Sequence, residues 1–311
     1  MASGDRLLLL DTASLYFRAF FGVPDSMRAP DSTPVNAVRG LMDFISRLVG
    51  EYDPTHLVCC WDDDWRPRWR VDLIPSYKAH RVVAEVPGPK PDVEEVPDPL
   101  EVQIPIIVDV LQAFGIARVG HAEMEADDVI GTLATNAGMP VDIVTGDRDL
   151  FQLVDDEAAV RVLYVARGVS KHERVDNAWV RNKYGVDARH YADLATLRGD
   201  ASDGLPGVAG VGDKTAATLL DRFGSIDAVV AAASDPESDM GPGPRGKIKA
   251  ALDYLDVAPG VVAVRRDLDL GSPYTTRPRT PADHDAVLAL DERWGLGSSA
   301  VRLVQALSGS D

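Results

Sequence analysis

The chain has 311 residues, 45% of them hydrophobic, enough to bury a sizeable core as one large domain or two moderate ones. Nothing near the N-terminus couples a basic segment to a long apolar run, and no run approaches the ~20 residues that a membrane span needs, so a soluble cytoplasmic protein is expected. A formal charge of −17 excludes a polyanionic partner unless positive charge is concentrated somewhere on the surface.

In chain order, 6–11 reads as a strand and 35–50 as a helix, 56–62 as a strand and 100–114 as a helix, 116–119 as a strand and 124–137 as a helix, and 141–145 as a strand. That rhythm predicts an α/β fold, a mostly parallel sheet with helices on both faces. Cys59 and Cys60 are adjacent on one strand, point to opposite faces and read as reduced core residues. Positive charge is concentrated between Trp65 and Arg81: Arg66, Arg68, Arg70, Lys78 and Arg81 stand against the single acid Asp72, with Trp65, Trp69 and Tyr77 interleaved. Residues 82–99 carry Pro87, Pro89, Pro91, Pro97 and Pro99 with a surplus of acids, which predicts an extended, mobile loop. From about residue 175 helices take over, at 176–184, 187–198, 213–223, 225–233 and 245–257, with 234–246 as a loop. The expected division is a domain at 1–174 with a gateway at about 65–100, a helical domain at 175–275, and a segment at 276–311 packing back on the core.

Acids stand at or beside the ends of the apolar runs. Asp11 follows L-L-L-L, Asp62 follows L-V-C-C-W, Asp147 and Asp149 follow V-D-I-V-T-G, and Glu125, Asp127 and Asp128 open a helix. The carboxyl ends of parallel strands share one edge, where open α/β sheets bind ligands. Carboxylates ~4 Å apart repel by ~1 kcal/mol in water and ~4 kcal/mol at an effective dielectric of about 20, so a convergent set needs cations. Hard oxygen donors without His or Cys spacing favour magnesium or manganese over zinc.

Each cluster also has a bland explanation. An acidic first turn complements a helix dipole, and a single Asp caps a strand-to-helix turn. Extended geometry would send Asp147 and Asp149 to one side and Arg148 to the other. Asp200 and Asp203, three apart before G-L-P-G, fit an Asx turn. Two glycine motifs are rejected as nucleotide sites. In G-V-A-G-V-G-D-K-T, Asp213 separates Gly212 from Lys214 and no strand precedes, and G-P-G-P-R-G at 241–246 reads as a proline-bearing loop. No nucleotide cofactor is expected, and 207–223 becomes a glycine-rich hairpin leading into a helix whose amides could hold a DNA phosphate.

Taken in order, five blocks resemble the bacterial 5′-nucleases of the flap endonuclease class, a fold also found as the N-terminal domain of DNA polymerase I. They are L-L-D-T-A-S-L-Y-F-R-A-F-F, Y-K-A-H-R, M-E-A-D-D-V-I-G-T-L, T-G-D-R-D-L-F-Q-L-V and G-D-A-S-D-G-L-P-G-V-A-G-V-G-D-K-T-A, and the likeness runs from Leu7 to about residue 270. The resemblance implies a PIN-like 5′-nuclease fold, a helical gateway, and a C-terminal DNA-binding domain of helix-two-turn-helix type. It implies that Asp11, Asp62, Glu125, Asp127 and Asp128 surround one magnesium or manganese ion. Asp147, Asp149, Asp200 and Asp203 would surround another, several through water, with the division between the ions left open. Lys78 and Arg81 match the basic pair at the base of the gateway, and Arg70 matches another gateway arginine. Phe17 stands where relatives often carry a base-stacking Tyr, and Arg18 and Tyr77 are expected to touch DNA beside it. Gly210, Gly212, Lys214 and Thr215 match the hairpin that grips the duplex, where relatives can hold a potassium ion within 207–215.

The implied activity is structure-specific 5′-3′ exonuclease and flap endonuclease cleavage by two metals, in DNA replication and repair. The implied partner is DNA with 5′ flaps, ends or nicks, bound by a monomer and not at a membrane. Residues 82–99 are longer and more acidic than expected of polymerase-linked relatives, so the gateway is expected to be more open or more mobile. No polymerase module follows in this sequence, which suggests a stand-alone nuclease. The rivals are a PIN-like single-strand ribonuclease, disfavoured by the helical domain and Y-K-A-H-R, and a non-catalytic DNA-binding module, disfavoured by the unbroken set of acids.

Overall fold

A computed structural model describes residues 4–86, 88 and 90–309. Its main sheet is built from β1 (Leu7–Asp11), β2 (His56–Cys60), β5 (Ala117–Val119), β6 (Val141–Thr145), β7 (Val160–Tyr164) and β8 (Glu173–Val175), while β3 (Val82–Ala84) and β4 (Val93–Glu94) form a separate ribbon. The sheet order is β5-β2-β1-β6-β7-β8, parallel throughout except for the antiparallel edge strand β8. The first half contributes α1 (Thr12–Gly22), α2 (Asn36–Tyr52), α3 (Arg68–Leu73), α4 (Asp98–Glu101), α5 (Ile104–Phe114) and α6 (Ala126–Ala134). The second contributes α7 (Asn177–Tyr184), α8 (Tyr191–Arg198), α9 (Asp213–Phe223), α10 (Ile226–Ser234), α11 (Pro242–Ala250), α12 (Leu252–Val262), α13 (His284–Trp294) and α14 (Ser298–Ser308).

Because strand side chains alternate, the sheet feeds two apolar cores. Leu8, Leu10, Leu57, Cys59 and Val144 pack with residues of α1, α2, α5 and α14. Leu7, Leu9, Val58, Cys60 and Ile143 pack with α6, and the same core continues without a break into α8, α9, α10 and α12. The two free thiols thus fall one in each core. The C-terminal residues return to the α/β unit: Leu57 N donates to Thr275 O at 2.8 Å, and Arg302 on α14 pairs with Asp43 on α2 at 2.8 Å. Among the described residues no helix is long and apolar enough to cross a membrane.

Several elements depart from expectation. The stretch read as an extended loop forms the β3–β4 ribbon and then α4, because Val82–Ala84 and Val93–Glu94 flank the prolines and keep N–H groups for pairing. Pro87 and Pro89 lie outside the described residues. The motif G-P-G-P-R-G is no loop: it opens α11, since a proline in the first turn lacks only an N–H that would have no helical partner. The helix expected at 245–257 is two helices meeting at Ala251. α1, β7, β8, α13 and α14 were not read from the sequence at all.

Candidate active site

Between β1 and β6 the winding of the sheet reverses, and in open α/β sheets ligands collect outside the carboxyl ends of the strands at that point. Asp11 ends β1: its Oδ1 caps α1 by accepting from Ser14 N at 3.1 Å, and its Oδ2 accepts from Thr145 Oγ1, the end of β6, at 2.7 Å. Just beyond β2, Asp62 accepts from Ala126 N at 2.8 Å, which ties it to the first turn of α6, where Asp127 stands. A cleft of about 460 Å³ opens here, lined by Asp11, Asp62, Glu125, Asp127, Asp147 and Asp200, with Lys78, Arg81, Arg148 and Phe17 at its walls. Beneath it a cavity of about 20 Å³ is lined by Asp149 and Asp203, with Asp127 and Glu125 common to both spaces.

The acids sit in surroundings short of positive charge. Burial is the largest cause and neighbouring carboxylates add to it: Asp11 is pushed up to about 7, with Asp62 its foremost repelling neighbour. Burial likewise pushes Asp62 and Asp203 up to about 6. Asp127 and Asp149 are held well above the usual carboxylate range by burial and then by Asp147. Asp200 is the exception: burial pushes it up, but the hydroxyl and amide of Ser202, with Arg148 and Arg198, hold it below its ordinary value. Asp149 Oδ1 is buried with no hydrogen-bond partner, a costly state that a cation would relieve. Among the described residues no three acids draw close enough to form a coordination shell by themselves. Hard ions that keep several of their waters suit that open arrangement better than a closed cage would.

Three expected site residues are committed to partners within the protein, Arg70 and Tyr77 on the wall of the inner cavity and Asp128 outside both spaces. Asp128 is fully buried and does not line the cleft: its Oδ1 accepts from Arg70 Nη2 at 2.7 Å and from Arg265 N at 2.8 Å, and its Oδ2 accepts from Arg70 Nη1 at 2.8 Å. Its oxygens are committed, so it leaves the set of metal ligands. Arg70, buried between Asp128, Glu125 and the Val261 carbonyl, leaves the DNA-contacting set. Tyr77 leaves it too, since its ring is buried and its hydroxyl donates to Glu125 Oε1 at 2.7 Å. Lys78 donates to Glu125 Oε2 and Arg81 to Asp203 Oδ1, at 3.1 Å for the latter, so both bases are already turned toward the acids.

The alternation read into Asp147, Arg148 and Asp149 also fails. Arg148 is in the helical region and Asp149 opens a short 3-10 helix, so Arg148 joins Asp147 in the cleft and reaches Asp200 Oδ2 at 3.3 Å, while Asp149 faces the inner cavity. Arg18 donates to Ala166 O at 3.0 Å and is absent from the cleft lining. Gly212 caps α9, with Lys214 and Thr215 in its first turn and outside the cleft, and the Gly210 carbonyl accepts from Lys247 Nζ at 2.8 Å. Arg148, Ser202, Trp65 and Glu94 are cleft residues that sequence reasoning missed. Arg148 and Ser202 carried a signal, each lying between two singled-out aspartates, and Trp65 belonged to the basic, aromatic stretch; Glu94 carried none.

An acid-lined cleft at the switch point of a parallel sheet, faced by lysine and arginine and continuous in its core with a helical unit, is suited to holding dications beside a phosphodiester. The family model "5′-3′ exonuclease, N-terminal resolvase-like domain" matches residues 6–185, and "5′-3′ exonuclease, C-terminal SAM fold" matches residues 186–285. A 5′-3′ exonuclease of Streptomyces coelicolor is 60% identical over 301 residues, covering 97% of this chain and 100% of that one. One of Mycobacterium tuberculosis is 52% identical over 309 residues, covering 97% of each. The chain belongs to the 5′-3′ exonuclease family. Solved structures with the same fold include the T5 D15 protein co-crystallised with metal ions, at TM-score 0.64 and 17% identity over 97% of this chain and 99% of that one. The catalytic core of Rad2 in complex with DNA substrate follows at 0.61 and 17%, over 98% and 93%.

Proposed function

We propose that the cleft hydrolyses phosphodiester bonds of DNA at 5′ ends, nicks and flaps with magnesium or manganese. The observation that carries this reading is the convergence of Asp11, Asp62, Glu125, Asp127, Asp147 and Asp200 on one cleft that also holds Lys78 and Arg81. Asp11, Asp62, Glu125 and Asp127 would hold one ion, and Asp147, Asp149, Asp200 and Asp203 another. Bound dications supply a nucleophilic water at neutral pH and offset charge on the phosphoryl oxygens.

The chain's own residues do the positioning. Thr145 and Ser14 fix the Asp11 carboxylate, Ala126 N fixes Asp62, and Ser202 fixes Asp200, so the acids are oriented before substrate arrives. Lys78 and Arg81 exchange their carboxylate partners for the scissile phosphate and stabilise the charge that builds on it. Phe17, at the cleft wall, offers a ring for an unpaired base. Lys214, Thr215 and the amides near Gly212 hold duplex phosphates without reading sequence. A potassium ion at that hairpin would compete with the Lys247 ammonium already on the Gly210 carbonyl. We further infer a monomer acting in the cytoplasm, on the nucleoid.

Cleavage of a labelled 5′-flapped duplex with magnesium or manganese, against a chelator control, tests the reading. Turnover in EDTA, or wild-type turnover by Asp127→Asn, sinks it.

A further inference from the structure

The proline-rich ribbon adds an acid that the family resemblance did not assign. Glu94 joins six other carboxylates in the cleft lining, against Lys78, Arg81 and Arg148. On β4 Val93 is exposed while Glu94 turns inward, as the two-residue period requires. Its attractive neighbours are Arg81 and Lys78, and its repulsive ones are Asp62 and Glu125.

The ribbon is held on both sides of Glu94. Glu95 N donates to Arg81 O at 2.8 Å. Asp92 accepts from the buried Arg66 Nη1 at 2.6 Å through Oδ2, and from Trp65 Nε1 at 2.8 Å through its carbonyl. Arg66 also donates to the carbonyls of Tyr77, at 2.7 Å, and Pro75, at 3.3 Å. The segment that places Lys78 and Arg81 therefore also places Glu94.

We propose that Glu94 gates DNA entry: its carboxylate adds negative charge to the cleft in which Lys78 and Arg81 pair with Glu125 and Asp203, and it competes with an incoming phosphodiester for the field of those two bases. The proposal rests on the reading that these two bases receive the scissile phosphate. Gate and bases are mechanically linked, since Val82, next to Arg81, pairs with Glu94 and the Arg81 carbonyl accepts from Glu95 N. Neutralising Glu94 keeps the side-chain shape and removes only the competitor.

The test is fluorescence anisotropy of the full chain on a 5′-flapped duplex in EDTA, where no turnover intervenes, over a salt series. Glu94→Gln is expected to tighten binding about three- to tenfold and to steepen the slope of log K against log salt by roughly 0.7–0.9, one phosphate contact. Glu85→Gln removes the same charge from an exposed position outside the cleft lining and is expected to change Kd by less than about twofold at 0.1–0.15 M salt. Unchanged or weaker binding by Glu94→Gln, or an equal gain from Glu85→Gln, overturns the gate. So does a loss of manganese affinity in Glu94→Gln, which would make the residue an ion ligand. Lys78→Met, run alongside, separates the two ideas. If it binds and cuts like wild type, the phosphate-site reading falls; if it fails while Glu94→Gln binds unchanged, the gate alone falls.

Discussion

Arg70 and Asp128 share two charge-assisted hydrogen bonds, at 2.7 and 2.8 Å, with both side chains almost wholly shielded from water. Removing one partner of such a pair leaves a buried charge uncompensated, at a cost of about 3–5 kcal/mol. The pair joins α3 of the gateway to α6 of the sheet unit, and Arg70 Nε extends the link to Val261 of α12. Arg70→Met is expected to lower stability by about that amount, read from urea melts, while the salt slope of DNA binding stays at the wild-type value. A stable variant with a shallower slope would return Arg70 to the DNA surface.

Asp127 and Asp128 separate chemistry from scaffold within one turn of helix. Asp127 lines both the cleft and the inner cavity, whereas Asp128 is saturated by Arg70 and the Arg265 amide. Asp127→Asn should cut kcat by about two to three orders of magnitude while leaving the urea midpoint at or above wild type, because it relieves carboxylate repulsion. Asp128→Asn should do the reverse, lowering the midpoint first and activity only through lost folded protein. Equal kinetic and stability losses in both variants would contradict this division.

The strand-end acids were legible because geometry is local there: a carboxylate at the last residue of a parallel strand, or two residues past it, is held near the shared edge. Asp11, Asp62 and Asp147 belong to that class and line the cleft together. Helical acids were not so legible. Successive residues on a helix point about 100° apart, and which of Asp127 and Asp128 faces the cleft is decided by Arg70, 58 positions away from the latter. Arg148 and Asp149 were misassigned for a related reason, since strand alternation was carried past Gly146 into a 3-10 turn. Glu94 was hidden by its neighbours: prolines break regular hydrogen bonding on average, and the sequence does not say which short pieces between them still pair. The terminal helices did carry a signal, since Ala300, Leu303, Val304 and Leu307 of α14 recur at helical spacing; what the sequence does not tell is that this stripe fits α2.

Gly204 marks where the helical unit meets the gateway. It has φ of +70°, and a Cβ there would lie 2.1 Å from the Ser76 carbonyl oxygen. Ser76 Oγ donates to Gly204 O at 2.7 Å, and Lys78 N donates to Asp203 O at 2.9 Å, so this close approach also registers Lys78 against the inner acids. Gly204→Ala is expected to cost more than the roughly 1–2 kcal/mol of a left-handed L-residue, because backbone must also move apart. Activity should fall beyond what unfolding explains, as Lys78 and Asp203 lose register. Wild-type stability and turnover in this variant would mean that the loop is not docked on the gateway in solution.

The raised proton affinities of Asp11, Asp62 and Asp203 make stability without metal depend on pH in a defined direction. An acid whose value is higher in the folded than in the unfolded chain holds its proton while the unfolded chain releases it, so stability falls as pH rises between the two values. The unfolded aspartates ionise near 3.8; Asp62 and Asp203 follow in the folded protein at about 6, and Asp11 at about 7. In EDTA the melting temperature is therefore expected to decline from about pH 4 and to level off, as far as these groups govern it, above about pH 7. Dications favour the ionised carboxylates, so magnesium or manganese should raise the melting temperature little at pH 5 and much more at pH 8, with protons released on binding. Differential scanning fluorimetry over this range, with and without 10 mM-scale metal (roughly, to exceed weak binding), reads both slopes. A metal shift that is constant across pH would show that the ions do not meet these carboxylates, and a profile in EDTA that rises toward pH 7 would show that their proton affinities are not raised in the folded protein.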